Sequence, residues 1–503
     1  MLAELNAASS SRDVAADRAD VRCALKRWVI VLALFILSAL PVIGPLAPET
    51  QAHDLARICQ LFIFAVAAAA ALAVLGLRPI CVNTAMRGPP AAVLVVLAWV
   101  AGASVMHASH LQPALLELSI FGSMVLLAAA FSTMFDETDR AGMALVVPTV
   151  ASGVLSFMIL VRYSASVGSD ASILREHLIP GYSNYRFFNH VQVVTIPLIA
   201  AFAGRIDLSP RFRALAYGVL SFEFCWLAFT GGRATMLALA VGVGVVVLLY
   251  RSRSTRWLQA FGVSAVAGIV LYVLLFAAVQ SLLGVAGDYT ALDTVERSAA
   301  ETGQIRRLLW GLALQYIAES LWVGIGPMHF AHRVNSEAAH PHNIYLQIAA
   351  EWGLPMLAIV LVLAGLGMRR LIRATRRSEN GDDATLGVGL TAACVAIAVD
   401  GMFSGNFVMP NSQLWIAFSL GLAAAYVIRI EGRNAPAMLL ASGGRTVDLR
   451  WPIAVAIVLS QVALWHGVWP EILDVSAHVD RVRAEVVTNW RDNPRFWSHG
   501  WIR

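Results

Sequence analysis

Long apolar runs recur along almost the whole chain and constrain its fold more than any other feature. Crossing the roughly 30 Å hydrocarbon core of a bilayer takes about 20 residues of α-helix, because such a helix satisfies its own backbone polar groups. Thirteen runs approach this length, near residues 28–47, 58–77, 91–107, 114–134, 142–162, 191–204, 214–230, 234–250, 257–285, 354–368, 384–404, 413–429 and 452–469. The runs at 191–204 and 234–250 are short, so a re-entrant segment is an alternative for one of them. The pattern predicts an all-α polytopic membrane protein with about 12–13 transmembrane helices.

The composition excludes several other classes of protein. Hydrophobic residues make up 58% of the 503 residues and charged residues only 14%, well below the roughly 25% of soluble domains. The net charge of +5 comes without a basic stripe interleaved with aromatics, so we expect no nucleic-acid partner. The five cysteines are scattered without a CxxC spacing, which predicts neither a zinc site nor a disulfide framework.

The loop arginines predict the orientation of the chain. With residues 1–27 in the cytoplasm, arginine-rich loops alternate with arginine-poor loops along the sequence, as the positive-inside rule requires. We therefore divide the chain into a cytoplasmic N-terminal segment, N-terminal transmembrane helices, a large outer loop, C-terminal transmembrane helices and a C-terminal tail. These segments cover residues 1–27, 28–285, 286–353, 354–469 and 470–503.

The large outer loop carries the most unusual stretch, EAAHPHNIYLQIAAEWGLP at Glu337–Pro355. Upstream of it, Gly303–Ser320 has leucines and aromatics at helical spacing, which predicts a helix. A second helix is predicted to begin near Asn343 and to run into the membrane at Leu354.

His342 is the candidate for chemistry in this stretch. It follows Pro341 in what reads as the first turn of a helix, where the positive end of the dipole disfavours imidazolium and keeps a ring that can accept a proton. One alternative is a surface histidine bonded to a backbone carbonyl. Another is a metal ligand together with His329, His332 and His340, although no paired acidic ligand accompanies them.

Three arginines on the predicted outer face are candidates for binding phosphate. Arg186 in YSNYRFFNHVQ and Arg233 in TGGRATM flank neighbouring spans, and Arg306 lies one turn before a tryptophan in the loop. Arginine presents a planar fork of donors that binds phosphate bidentately. The alternative is snorkelling to lipid phosphates at the interface. For the two carboxylates within spans, Glu223 and Asp400, we expect structural pairing.

These motifs together resemble the O-antigen ligase and polymerase superfamily. The resemblance rests on TGGRAT, RRLLW, GIGP and HPHNIYLQIAAEWGLP, and it covers roughly Arg186 to Leu357. It implies a GT-C-type glycosyltransferase with a helical periplasmic loop, inverting and independent of metals and cofactors. The enzyme would work at the periplasmic face of a Gram-negative inner membrane, among membrane lipids.

The resemblance also implies substrates and roles for individual residues. The donor is O-antigen on undecaprenyl pyrophosphate, and the acceptor is a lipid A-core hydroxyl for a ligase. His342 would be the catalytic base, and Arg186, Arg233 and Arg306 would contact the pyrophosphate, with Arg307 as the alternative to Arg306. His340 and Asn343 would be secondary site residues.

Several functional alternatives stay open. An O-antigen polymerase would use another lipid-linked repeat unit as acceptor, and protein O-oligosaccharyltransferases share the same fold. The sequence context of HPHN and YRFFNHVQ favours the ligase. A transporter is the alternative from a different class, but transporters tend to show internal repeats and ionisable residues at the bilayer midplane. Here the polar residues gather towards one face.

Overall fold

The structure is a computed structural model of the chain. It describes residues 51–77, 81–83, 89–135, 142–168, 178–283, 291–333, 335, 337–433, 446–448, 450–486 and 494–501. The predicted run at 28–47 and the segment 1–27 lie outside the described residues.

The described residues are almost entirely helical, as predicted for an all-α membrane protein. The helices are α1 (Ala52–Leu77), α2 (Pro89–His107), α3 (Leu111–Met134), α4 (Val146–Gly168), α5 (Tyr185–Ala203), α6 (Pro210–Thr230), α7 (Arg233–Tyr250), α8 (Thr255–Val273), α9 (Val279–Leu283), α10 (Ala291–Glu319), α11 (Ile344–Trp352), α12 (Leu354–Arg377), α13 (Gly381–Asp400), α14 (Pro410–Arg433), α15 (Arg450–Ile472) and α16 (Val475–Val486). Two three-residue strands, β1 (Cys81–Asn83) and β2 (Thr446–Asp448), pair antiparallel. Every predicted apolar run outside 28–47 therefore overlaps a helix of the described residues.

Ten segments of the described chain are long and apolar enough to cross a membrane. The longest of them, Arg233–Ala278, contains α7 and α8 joined by a 3₁₀ turn at Arg251–Ser254. The two short runs form complete helices, because α5 has 19 residues and α7 has 18. The chain is thus a multi-pass membrane protein.

The interior of the bundle is built around α5, α13 and α14. The apolar side chains of α5 are almost all buried, and α13 packs against both α5 and α7. Glu223 of α6, predicted to be paired, accepts a hydrogen bond of 3.0 Å from Gln192 Nε2 of α5. This packing fixes the ends of α5, α7 and α13 at one end of the bundle, where the polar residues gather.

The loop before α12 differs from the prediction in one respect. The helix that begins near Asn343 does not run on into the membrane, because it ends at Gly353 and α12 starts a new helix at Leu354. Gly353 has φ 86°, and a Cβ there would lie 2.4 Å from the carbonyl oxygen of Trp322. A glycine is required at this break because only it tolerates both the backbone conformation and the close approach.

Candidate active site

Most of the predicted site residues line one cavity at the end of the bundle. The cavity has a volume of about 800 Å³ and lies between the beginnings of α5 and α7, the middle of α10 and the end of α13. Its walls include Arg186, Arg233, Arg306, His340 and His342. Residues more than 150 positions apart in sequence therefore share one site.

The turn that carries His342 is held by several specific contacts. The His342 backbone has φ 52°, and its N–H donates to Nδ1 of His340 at 3.2 Å. Trp310 Nε1 donates to the Pro341 carbonyl at 3.1 Å. A residue with a side chain pays for a positive φ, so the surrounding contacts must fix this conformation.

His342 lies before α11 and not in its first turn, which corrects the prediction. Asn343 is the N-cap, and its Oδ1 accepts from the N–H groups of Tyr345 and Leu346, each at 3.0 Å. Asn343 thus uses its side chain to begin the helix. This cap leaves the preceding residue, His342, outside the helix and directed towards the cavity.

The environment of His342 keeps its ring neutral. Burial, and after it the nearby charges of Arg306, His190 and Arg186, lower the pKa of His342 to about 3. The cause differs from the helix dipole of the prediction, but the protonation state is the same. Within the described part of the chain, the His342 ring forms no hydrogen bond. The structure therefore does not support the alternative of a histidine bonded to a backbone carbonyl.

The three arginines of the cavity are close enough to influence one another. Burial lowers the pKa of Arg306, and the positive charges of Arg233 and Arg186 lower it further. Arg306 also donates through Nη2 to the Phe403 carbonyl at 2.8 Å. Like charges held together in this way destabilise each other, so a bound anion would relieve the repulsion.

Tight turns bring Arg186 and Arg233 to the cavity. Asn184 caps α5 by accepting from the Arg186 N–H at 2.9 Å. Before Arg233, the chain turns through Gly231 at φ 64°, and a Cβ on Gly232 would lie 2.7 Å from Cγ of Asn189. The GG pair of TGGRAT is thus explained by a left-handed turn and a close approach to α5.

The remaining predicted residues have different surroundings. Arg307 is exposed, donates through Nε to the Gly303 carbonyl at 3.3 Å, and does not line the cavity. The structure therefore brings Arg306, and not its neighbour, to the other arginines. His340 is buried and its Nδ1 is occupied by the His342 N–H.

The histidines do not form one cluster. His329 and His332 pack with His110, with ring centroids of His110 and His332 4.1 Å apart, whereas His340 and His342 lie together at the cavity. Both ring nitrogens of His329 have partners, the Pro327 carbonyl at 2.8 Å and the His110 N–H at 3.0 Å. The metal site that would combine all four predicted histidines is not formed.

Two cavity residues were not recognised from the sequence as parts of the site. His190 Nδ1 lies 3.5 Å from Oδ2 of Asp400, and both side chains line the cavity. Asp400 also accepts from Thr235 Oγ1 at 3.3 Å and from Ser404 Oγ. Its predicted pairing is therefore correct, and it also lines the cavity. The signal for His190 was its spacing, since it lies four residues after Arg186 on the same helix.

Part of the chain is similar to a known family. Residues 216–361 match the family described as O-antigen ligase, a range that includes Arg233, Arg306 and His342 but not Arg186. No curated protein matches the chain. The matched residues span α6 to α11 and the beginning of α12, and so include the loop that forms one wall of the cavity. The chain is a multi-pass membrane protein whose residues 216–361 are similar to the O-antigen ligase family.

Proposed function

We propose that the protein is an O-antigen ligase, an inverting and metal-independent glycosyltransferase. It would transfer O-antigen from undecaprenyl pyrophosphate to a hydroxyl of lipid A-core at the periplasmic face of the inner membrane. The observation that carries the proposal is the cavity in which neutral His342 faces Arg186, Arg233 and Arg306. The family match at residues 216–361 supports it.

The arginines supply the donor site in this proposal. A pyrophosphate carries several negative oxygens, and three guanidinium groups offer both the charge and the paired N–H donors to bind them. Two carboxylates, Glu337 and Asp400, also line the cavity. Asp400 is engaged by His190, Ser404 and Thr235, so its charge is partly satisfied.

His342 performs the proton transfer. The acceptor hydroxyl gives its proton to a ring nitrogen of His342 while its oxygen forms a bond to the anomeric carbon. The bond from that carbon to the pyrophosphate oxygen breaks, and its electron pair stays on the departing undecaprenyl pyrophosphate. Attack and departure on opposite faces invert the anomeric configuration. The arginines stabilise the growing negative charge of the leaving group.

The donor itself improves the base. A histidine with a pKa of about 3 is neutral but weakly basic. A bound pyrophosphate would offset the charges of Arg306 and Arg186, which contribute to that low value, and so raise the pKa of His342. The base would thus reach useful strength only when the donor is in place.

Reconstitution tests the choice among the enzymes of the superfamily. Purified protein is incubated with lipid-linked O-antigen, with lipid A-core, and with both, and the products are separated by mass. Ligation requires both substrates and gives glycosylated lipid A-core, whereas growth of the lipid-linked chain without lipid A-core would identify a polymerase. A peptide acceptor tests protein O-glycosylation in parallel. Absence of any glycosidic product, or full activity of His342→Ala, would overturn the proposal.

A further inference from the structure

The segment 494–501 lies buried among the helices, although it follows the last described helix. Six of its side chains are at most 7% exposed: Arg495, Phe496, Trp497, Ser498, His499 and Trp501. Segments that follow the last element of a domain are usually exposed and loosely held unless specific contacts fix them. We call this segment the strap.

The main chain of the strap is anchored to α1. Arg57 donates to the carbonyl oxygens of Phe496 and Arg495, each at 3.1 Å. Asp54 accepts from both the backbone N–H and Oγ of Ser498, each at 2.7 Å. Charged side chains that bind backbone groups fix the path of the chain whatever side chains the strap carries.

The Arg495 side chain extends from the strap to α3 and α11. Its Nη2 donates to Oε1 of Glu117 in α3 at 2.5 Å and to Oε2 of Glu351 in α11 at 2.6 Å. The other oxygen of Glu351 accepts from the Phe330 N–H at 2.9 Å. Glu351 is thus held from two sides, in the helix that begins directly after His342.

The strap also reaches the site itself. Pro494 lines the same cavity as His342 and the three arginines. Burial is the largest cause that lowers the pKa of His340, and the positive charge of Arg495 also contributes. The strap therefore binds α11 near its end and lines the cavity that the histidine turn also lines.

We propose that Arg495 is a positioning residue for the transfer reaction: through Glu351 it fixes α11 and thereby the placement of His342 against the arginines. This inference rests on the proposed function. The strap acts on the catalytic step more than on donor binding, because the donor-binding arginines lie on α5, α7 and α10. A misplacement of about 1 Å at a catalytic group can cost about 10²-fold in rate.

Arg495→Met removes the link but leaves Glu117 and Glu351 buried without their cation, a change that can prevent folding. The deciding variant is therefore Arg495→Met combined with Glu117→Gln and Glu351→Gln, which leaves no unpaired charge. We expect this triple variant to lose kcat by about 10-fold to 10²-fold with little change in the donor KM. Recovery of wild-type kcat would show that Arg495 only compensates charge and would overturn the proposal.

The matched control is Arg429→Met combined with Asp383→Asn, which likewise leaves no unpaired charge. Arg429 is as buried as Arg495 and pairs with Asp383 at 2.7 Å, but this pair joins the opposite ends of α13 and α14 from those that approach the cavity. We expect this double variant to lower stability but to leave kcat per folded molecule unchanged. An equal loss of kcat in this double variant would assign the effect to general destabilisation and contradict the proposal.

Hydrogen exchange separates this inference from the proposed function. In the triple variant, the amides of α11 should exchange faster than in the wild type, while those of α5 stay unchanged. This measurement does not depend on which substrate the enzyme uses. If the wild type forms no glycosidic product with any acceptor, the proposed function fails. Faster exchange in α11 of the triple variant would then still support the conclusion that Arg495 fixes α11. Unchanged exchange in α11 would overturn the positioning role of Arg495, whatever the activity of the variant.

Discussion

His342 donates its backbone N–H to Nδ1 of His340 at 3.2 Å, across the single residue Pro341. The two rings pack edge to face with centroids 4.1 Å apart. Gly405 packs closely against the His340 ring, because a Cβ there would lie 2.7 Å from Cε1 of His340. One histidine thus shapes the turn, while the other is presented to the cavity at φ 52°.

This division of roles predicts different effects for the two histidines. His342→Ala should reduce transfer by about 10²-fold to 10⁴-fold, the usual contribution of a general base, with donor binding largely retained. The measurement is ligation of lipid A-core at equal protein level in membranes. His340→Ala is the matched control, and it should cost less because it loosens the turn without removing the base. An inactive His340→Ala beside an active His342→Ala would reverse the assignment.

The three cavity arginines should not tolerate lysine. Arg186→Lys, Arg233→Lys and Arg306→Lys keep the charge but replace a planar fork by a single ammonium, so each should weaken donor binding and turnover. Arg307→Lys is the neighbouring control, since Arg307 is exposed and does not line the cavity. Steady-state rates at varied donor concentration measure the effect. Wild-type rates in all three cavity variants would favour snorkelling arginines.

Much of the fold could be predicted from the sequence, because a segment that crosses the bilayer must be apolar and must satisfy its own backbone hydrogen bonds as a helix. The same reasoning brought Arg186, Arg233 and His342 to one face, because the ends of successive spans alternate between two surfaces. The break at Gly353 was missed, since it depends on the close approach of the Trp322 carbonyl. Such contacts join distant residues and leave no periodic signal.

The residues that hold the site in place could not be predicted from the sequence either. Arg495 binds Glu117, 378 positions away, and nothing in the neighbourhood of either residue indicates the partner. The doubled arginine at positions 306 and 307 was ambiguous because a helix places adjacent residues about 100° apart. Only the packing of α10 on the cavity shows that Arg306 faces inward.

The predicted orientation places α10 outside and the loop after α12 in the cytoplasm. Ala318→Cys and Glu379→Cys put thiols at exposed positions in these two places, in a background without the five native cysteines. In intact spheroplasts, an impermeant maleimide should label position 318 and not position 379. Permeabilised cells provide the control, because both sites should then react. Labelling of position 379 alone in intact spheroplasts would invert the topology.

Transfer should continue in the presence of EDTA. The proposed mechanism stabilises the leaving pyrophosphate with arginine side chains, so chelation of divalent ions removes nothing that the step needs. Rates before and after chelation, in detergent and at fixed ionic strength, are the measurement. Loss of activity that magnesium or manganese restores would contradict the metal-independent mechanism.

The pH dependence should report the unusual environment of His342. Its pKa in the free protein is lowered from 6.5 to about 3 by burial and then by Arg306, so the ring is neutral at every pH above that value. Activity is therefore kept on the neutral side and lost only as the pH falls through the lowered pKa. The acid limb of kcat/KM, which reports the free enzyme, should lie well below pH 6.5. The acid limb of kcat should lie at higher pH, because the bound pyrophosphate offsets the positive charges of the arginines.

Arg306→Gln should move the acid limb of kcat/KM to higher pH. The shift should be only partial, because burial is the larger cause of the lowered pKa, and Arg307→Gln should not move the limb. A wild-type limb at pH 6.5, or one that Arg306→Gln leaves in place, would show that His342 is not the titrating base.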